Sequence, residues 1–236
     1  MLYYRDFSYL NHEKKFVCIK EIVKMEILKG LKKFAALVNE KYVFYRRIAI
    51  VLFSIENYID DRELISNKLK ITIKRITAID ENIEKKLQEA LLNVDFHPLP
   101  FDVKEAKERL NRNYRFVVLE HNEEFIGWTW DAVGSIYIPE LEEIVKLKEK
   151  EAFSFNTYIE KSYRNKGLNK IMLHGKIRFL RNEKFKKEWG HIWSWNIPSL
   201  KSFTGMGWEI VGYYHYFKFF FIKIRFRAYK RKDCSI

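Results

Sequence analysis

The segment from Tyr158 to Leu173, YIEKSYRNKGLNKIML, admits few local structures. An apolar, strand-like start gives way to a short polar turn with Arg164, Lys166 and Gly167, and a helical pattern follows. A turn that enters a helix presents unpaired backbone amides at the positive end of the helix dipole, which suits it to a pyrophosphate. Gly167 permits close backbone approach, and Arg164 and Lys166 add charge. Taken alone, the segment reads first as a structural turn; its neighbours change that reading.

Upstream, ITIKRITAI from Ile71 to Ile79 reads as a short strand, and Asp80 as the cap of a helix that begins at Glu81. Pro98 and Pro100 break the pattern before a second helix, Val103 to Leu110. Tyr114 to Glu120 and Phe125 to Trp130 are β-rich runs joined by His121-Asn122-Glu123-Glu124, the pattern of an antiparallel hairpin. Phe153 to Ile159 reads as a strand, Gly167 to Arg181 as a helix, His191 to Trp195 as a strand and Ser199 to Met206 as a short helix. Trp208 to Ala228 is strand-like throughout. In its last part Ile222, Ile224 and Phe226 alternate with Lys223, Arg225 and Arg227, predicting one buried and one basic face.

The first third of the chain reads differently. Val23, Ile27, Leu31, Phe34 and Val38 fall at helical spacing among Lys20, Lys24, Lys29, Lys32 and Lys33, the pattern of a basic amphipathic helix over Lys20 to Asn39. Such a helix either packs on its own domain or rests on an anionic membrane surface. Tyr42 to Ile55 reads as extended, and the polar stretch Glu56 to Lys68 marks a boundary. The expected organisation is therefore a basic N-terminal extension over 1–68 and a domain over 69–236.

Forty-four Lys and Arg against thirty-one Asp and Glu leave a net charge of +13, so an acidic partner is expected: nucleic acid, anionic lipid or a phosphate-bearing small molecule. With 47% hydrophobic and 17% aromatic residues, 236 residues support a sizeable core, which excludes general disorder. Charged residues at 32% exclude a largely membrane-embedded chain, and the longest apolar runs, such as Ile48 to Phe53, are too short to span a bilayer. Cys18 and Cys234 stand far apart, as suits a reduced cytoplasm, and MLYYRDF does not read as a secretory leader. Six scattered His residues lack ligand spacing, so no metal site is expected.

The order of elements and the turn residues together resemble the GNAT superfamily of N-acetyltransferases. Its signature is Arg or Gln, two residues, Gly, one residue, then Gly or Ala, and here it reads Arg164-Asn165-Lys166-Gly167-Leu168-Asn169. Asn169 departs from the small residue of the pattern. Downstream, WSWNIPSLKSFTGMGW resembles the family's strand, then Asn196, two residues and Ser199 opening a helix, then Gly207 and Trp208 starting the next strand. Upstream, FVVLEHNEEFIGWTW resembles its central hairpin, with Gly127 in the second strand.

The resemblance covers about Ile71 to Ala228 and implies an α+β fold, α/β/α-like in its layers. Its mixed, mostly antiparallel sheet would have a parallel pair splayed around acetyl-coenzyme A (acetyl-CoA), with the N-terminal helix and strand as an extension. By the same resemblance Asn156, Thr157, Tyr158 and Ile159 would pair with the pantetheine arm. Arg164, Asn165, Lys166, Gly167, Leu168 and Asn169 would hold the pyrophosphate, and Asn196, with Ser199, would contact the pantetheine. The implied reaction is acetyl transfer to the amine of a small molecule. An amino sugar, nucleotide-linked or not, is the first choice of acceptor and a protein or peptide amine the second, because the N-terminal helix followed by KYVFYRRIAIVLFSI resembles members linked to surface-glycan synthesis.

Attack on a thioester needs a neutral amine, hence a base, and the leaving thiolate benefits from an acid. Glu151, Glu160 and Asp131 are candidate bases, each near the end of a strand expected to line the cleft. The Tyr that serves as acid in many members is replaced by Phe203, so Tyr158 is the candidate substitute. The alternative is a protein that keeps the fold without the reaction and uses its basic surface, including Lys218 to Lys232, on nucleic acid or anionic membrane. For the leading reading nucleic acid is not an expected partner. Location is expected in the cytoplasm, with peripheral contact at the inner membrane surface as an option, and a homodimer is one option for assembly.

Overall fold

A computed structural model describes residues 43–56, 58, 70–95, 101–220 and 222–229. The expected amphipathic helix over Lys20 to Asn39 lies outside them. Two compact units result, a larger one over 47–214 and 227–236 and a smaller one to which described residues of 43–46 and 215–226 belong.

In the larger unit, β2 (Ile71–Ile76) precedes α1 (Glu81–Leu92) and α2 (Val103–Asn111). Both helices start where a carboxylate meets the first turn: Asp80 accepts from the Ile83 amide at 2.8 Å and Asp102 from the Glu105 amide at 2.7 Å. Each such cap is worth about 1 kcal/mol. Next come β3 (Arg115–His121) and β4 (Glu124–Val133), an antiparallel pair. The connection is tighter than the expected four residues, because Asn122 and Glu123 both take positive φ and complete the turn alone.

A small hairpin, β5 (Ser135–Ile138) and β6 (Glu143–Lys146), follows and was not legible in the sequence pattern. Then come β7 (Glu151–Ile159), a 3-10 turn at Lys161–Tyr163, α3 (Leu168–Asn182), β8 (Lys187–Trp193) and α4 (Ile197–Thr204). The sheet runs β1-β8-β7-β4-β3-β2, where β1 is Val43–Ser54; every pair is antiparallel except β7 with β8.

Alternation in the strands puts one helix pair on each face. Phe116, Trp128 and Trp130 pack with Leu87, Ala90, Leu91 and Ala106 of α1 and α2. Leu119, of opposite parity to Phe116, and Ile126, turned to the other face by the bulge where the β3–β4 register shifts after Leu119, pack with Leu168 and Met172 of α3. Trp128 and Trp130 thus share a face, and Trp130 stacks on Phe116 with centroids 4.1 Å apart. This is the α+β architecture, layered helix, sheet, helix, that the sequence resemblance implies. Gly127 is needed where β4 approaches β7: a Cβ there would lie 2.8 Å from the Tyr158 carbonyl oxygen.

Several expectations are corrected. β8 begins at Lys187 and ends at Trp193, so Trp195 sits in a turn, 72% exposed, and does not alternate with Trp193 within a strand. α4 starts earlier than expected because Asn196 caps it, accepting from the Ser199 amide at 3.2 Å. The sheet also enrols the extended N-terminal segment. Ile48 to Ser54 pair with Trp193 to Lys187, and Ile48, Ala49 and Val51 are fully buried, which draws β1 from residue 47 onward into the larger unit rather than leaving it with an extension that ends near residue 68.

The strand-like closing stretch is two strands, β9 (Glu209–Phe219) and β10 (Ile222–Tyr229), interrupted where Phe220 takes φ 51°. In the smaller unit, the expectation that Ile222, Ile224 and Phe226 form a buried face is overturned. They are 49%, 50% and 53% exposed, and Lys223 and Arg225 on the other face are exposed as well, so no described layer covers either face of β10.

Candidate functional site

The parallel ladder between β7 and β8 runs from Glu151↔Lys187 to Ser154↔Gly190 and stops there, although both strands continue. The cause lies in β7. Opposite β4 its register shifts between Trp128 and Trp130, and Asn156 takes φ 46°, so β7 bulges away from β8. Arg109 holds the bulge from α2, donating to Asn156 Oδ1 at 2.9 Å and to Glu105 Oε1 at 2.6 Å. Its guanidinium sits 4.9 to 5.2 Å from the rings of Phe101, Trp130 and Phe155. Burial lowers the pKa of Arg109 and the Glu105 carboxylate opposes that, so the group remains a cation.

Between the parted strands lies a cleft of about 950 Å³. Ser154 to Tyr158 of β7 and Gly190 to Trp193 of β8 line it, together with Asn196, Ser199 and Phe203 and with Glu105, Glu108, Arg112, Tyr137 and Glu140. Of the residues expected to hold a cofactor, Asn156, Thr157, Tyr158, Asn196 and Ser199 line this cleft. Thr157 is tied to Thr129 by a hydroxyl contact of 2.8 Å. Ile159 is a core residue with Leu168.

Beyond the end of β7, the turn from Arg164 to Asn169 leads into α3. Asn165 and Gly167 have φ 62° and 76°, and α3 has no side-chain cap, so the amides of its first turn have no partner inside the helix. A Cβ on Gly167 would meet nothing within 4 Å, so glycine serves the left-handed backbone there rather than close packing.

Two charged residues of the turn are already engaged. Arg164 donates to both oxygens of Asp95, at 2.8 and 2.6 Å, and to the Ile159 carbonyl at 2.9 Å. Lys166 stands over the Tyr163 ring at 5.1 Å. Asn169 donates to Ser202 Oγ at 2.8 Å, tying α3 to α4, which gives this departure from the family pattern a structural role.

The candidate bases do not converge on the cleft. Asp131 is fully buried and pairs with Lys176 at 3.3 Å. Glu151 lies at the far end of β7 and accepts from the Lys148 amide at 3.2 Å. Glu160 lies past the end of β7 and accepts from Ser162 Oγ at 2.6 Å. Each looked cleft-facing only because it flanks the right strand. Tyr158 does line the cleft, but its hydroxyl lies 3.3 Å from both the Asn93 carbonyl oxygen and Asp95 Oδ1, and burial raises its pKa. It braces the Arg164 contact. Phe203 packs edge-on against Trp208 with centroids 5.0 Å apart and has no proton to give.

The cleft instead brings together His191 and Glu140, Nε2 to Oε2 3.6 Å, beside the point where the strands part. His191 stacks on Phe153 at 5.6 Å. Sequence reasoning missed this pair because Glu140 belongs to the connection between β5 and β6, which carried no readable pattern.

The sequence profile of the acetyltransferase (GNAT) family matches residues 81–208, more than half of the chain. No curated protein matches the chain. Among solved structures, the ribosomal-protein-S18-alanine N-acetyltransferase from Escherichia coli is 15% identical, with a TM-score of 0.44 over 58% of this chain and 76% of that one. AAC(6')-Iy, in complex with the bisubstrate analog CoA-S-monomethyl-acetylneamine, is 14% identical, with a TM-score of 0.47 over 59% and 90%. An aminoglycoside acetyltransferase from an uncultured soil metagenomic sample, in complex with trehalose, is 15% identical, with a TM-score of 0.41 over 58% and 86%.

Proposed function

The chain belongs to the GNAT acetyltransferase family and is an N-acetyltransferase that uses acetyl-CoA; from that premise we propose that its acceptor is a small-molecule amine, an amino sugar in first place, and that His191 is the base. The observation that carries the reading is the parting of β7 and β8 after Ser154 and Gly190, which frees one edge of Phe155 to Tyr158 and opens the cleft.

The residues fit the group. Backbone N–H and C=O groups along the freed edge of β7 match an amide-bearing arm, and the uncapped start of α3 matches a diphosphate. Acetyl-CoA supplies the acetyl group already activated as a thioester. His191 removes the proton that the amine sheds as its nitrogen bonds to the carbonyl carbon, directly or through one water. Glu140, 3.6 Å away, offsets the imidazolium charge. A thiolate leaves without a donor at the Phe203 position, since its conjugate acid is already fairly strong.

The lining of the cleft supports the amino-sugar reading by its chemistry: the carboxylates Glu108 and Glu140 suit an ammonium, and the Tyr137 ring, more than half exposed, suits a sugar face. The test is calorimetry with acetyl-CoA followed by thiol release assays over amino sugars, polyamines and peptides. Binding with acetylation of an amino sugar is expected. Binding with no acetylation of any amine would leave only the non-catalytic alternative.

A further inference from the structure

Among the described residues of the smaller unit, Arg46, Lys218, Lys223 and Arg225 are basic and none is acidic. Where the unit is described, its outer strand is amphipathic. Ile222, Ile224 and Phe226 lie on one side of β10 at 49%, 50% and 53% exposure, and Phe220 at the turn is 45% exposed. Lys223 and Arg225 alternate with them, and no acidic residue occurs between Glu209 and Asp233. Phe217, Phe219 and Phe220 form a ring cluster beside the turn, with centroids 6.5 and 5.0 Å apart.

We propose that the β9–β10 hairpin is a docking surface for an anionic membrane. Exposed apolar side chains in a line need a partner to leave water, and an excess of Lys and Arg selects one that is negatively charged. Two other partners fit the surface less well. Single-stranded nucleic acid could stack on the exposed rings of Phe220 and Phe226, but it would leave Ile222 and Ile224 between them without an apolar partner. A second copy pairing antiparallel along β10, centred on Arg225, would set Lys223 opposite Arg227 and Arg225 opposite itself, a repulsive arrangement. No described helix is long and apolar enough to cross a membrane.

The test is flotation of the full chain with phosphatidylcholine vesicles, with and without phosphatidylglycerol. Binding is expected only with phosphatidylglycerol, weakening as salt rises. The pair Ile222→Ser with Ile224→Ser, and separately Lys223→Glu, are each expected to lower vesicle affinity roughly tenfold. The thermal shift with acetyl-CoA should be unchanged in both, which shows that the fold and the cleft survive. Lys223→Glu leaves every apolar side chain in place and so tests the surface even if the paired variant does not fold. Absence of binding to phosphatidylglycerol vesicles overturns the proposal, as does equal binding by folded variants. It is also overturned by RNA binding without vesicle binding, or by a dimer that Ile224→Ser dissociates while vesicles stay unbound.

Discussion

Arg164 closes on Asp95 with two parallel hydrogen bonds, Nη1 to Oδ2 at 2.8 Å and Nη2 to Oδ1 at 2.6 Å. The pair fastens the segment after α1 to the turn that opens α3. The first position of the family's signature therefore shapes the turn, and the charge expected to face the pyrophosphate is largely spent on a neighbouring carboxylate.

Asp95 is held below the usual carboxylate range, first by the hydrogen bonds from Arg164, with burial opposing and the Arg164 charge assisting. A depressed pKa contributes stability that is present above the unfolded value of about 4 and lost as pH falls through the native one. Asp95→Asn is expected to melt a few degrees below the parent at neutral pH and to match it in strong acid; because the pair is well exposed, its contribution is about 1 kcal/mol or less. Thermal melts across pH check this, and a difference that persists in acid would show that the contact works by packing instead.

Gly167 has φ 76° in open surroundings. Gly167→Ala should cost about 1–2 kcal/mol of local strain without a clash, and should weaken acetyl-CoA binding roughly tenfold. Gly167→Asn should recover part of the affinity, since Asn tolerates the left-handed region. Calorimetry distinguishes this backbone account from a steric one, in which Asn would be the worse of the two.

Much of this site was legible because local rules act over few residues. Asp80, Asp102 and Asn196 are caps, Gly127 and Gly167 are backbone requirements, and the strand and turn of Tyr158 to Leu173 declare themselves by spacing. What could not be read depends on contacts distant in sequence. Asp131 pairs with Lys176, Arg109 props Asn156, and Glu140 meets His191 only after a small hairpin folds over. The strand register of β8 was missed for a similar reason. Lys187 and Glu188 fall outside the strand expected from His191 onward, yet Glu188 is fully buried, where Lys176 of α3 pairs with it.

Removing the base should affect turnover more than binding. His191→Ala is expected to lower kcat by about 10²–10⁴-fold with little change in the KM for acetyl-CoA, and Glu140→Gln by a smaller factor, since it removes only the counter-charge. Steady-state kinetics on an accepted amine decide the matter. A His191→Ala enzyme with unchanged kcat would remove the residue from the mechanism.

Beneath the point where the strands part, Lys176 donates to Ser154 Oγ at 2.7 Å, bonds to Glu188 and faces Asp131 at 3.3 Å, all out of water. One cation stands between two carboxylates, so burial, reinforced by the Asp131 charge and opposed by Lys176, raises the pKa of Glu188 well above normal. A carboxyl with a raised native pKa binds more protons folded than unfolded, and stability falls as pH rises between the two values. Glu188→Gln is neutral throughout and nearly isosteric. Its advantage over the parent in urea unfolding should be small near pH 4 and widen as pH rises towards the native pKa, by up to about 1.4 kcal/mol per pH unit. Lys176→Met should instead destabilise by about 3–5 kcal/mol, because it strands two buried carboxylates. Parallel stability curves for Glu188→Gln and the parent would mean that the proton resides elsewhere in the cluster. Because Ser154 both bonds Lys176 and lines the cleft, the same substitution reports whether that buried charge sets the shape of the site.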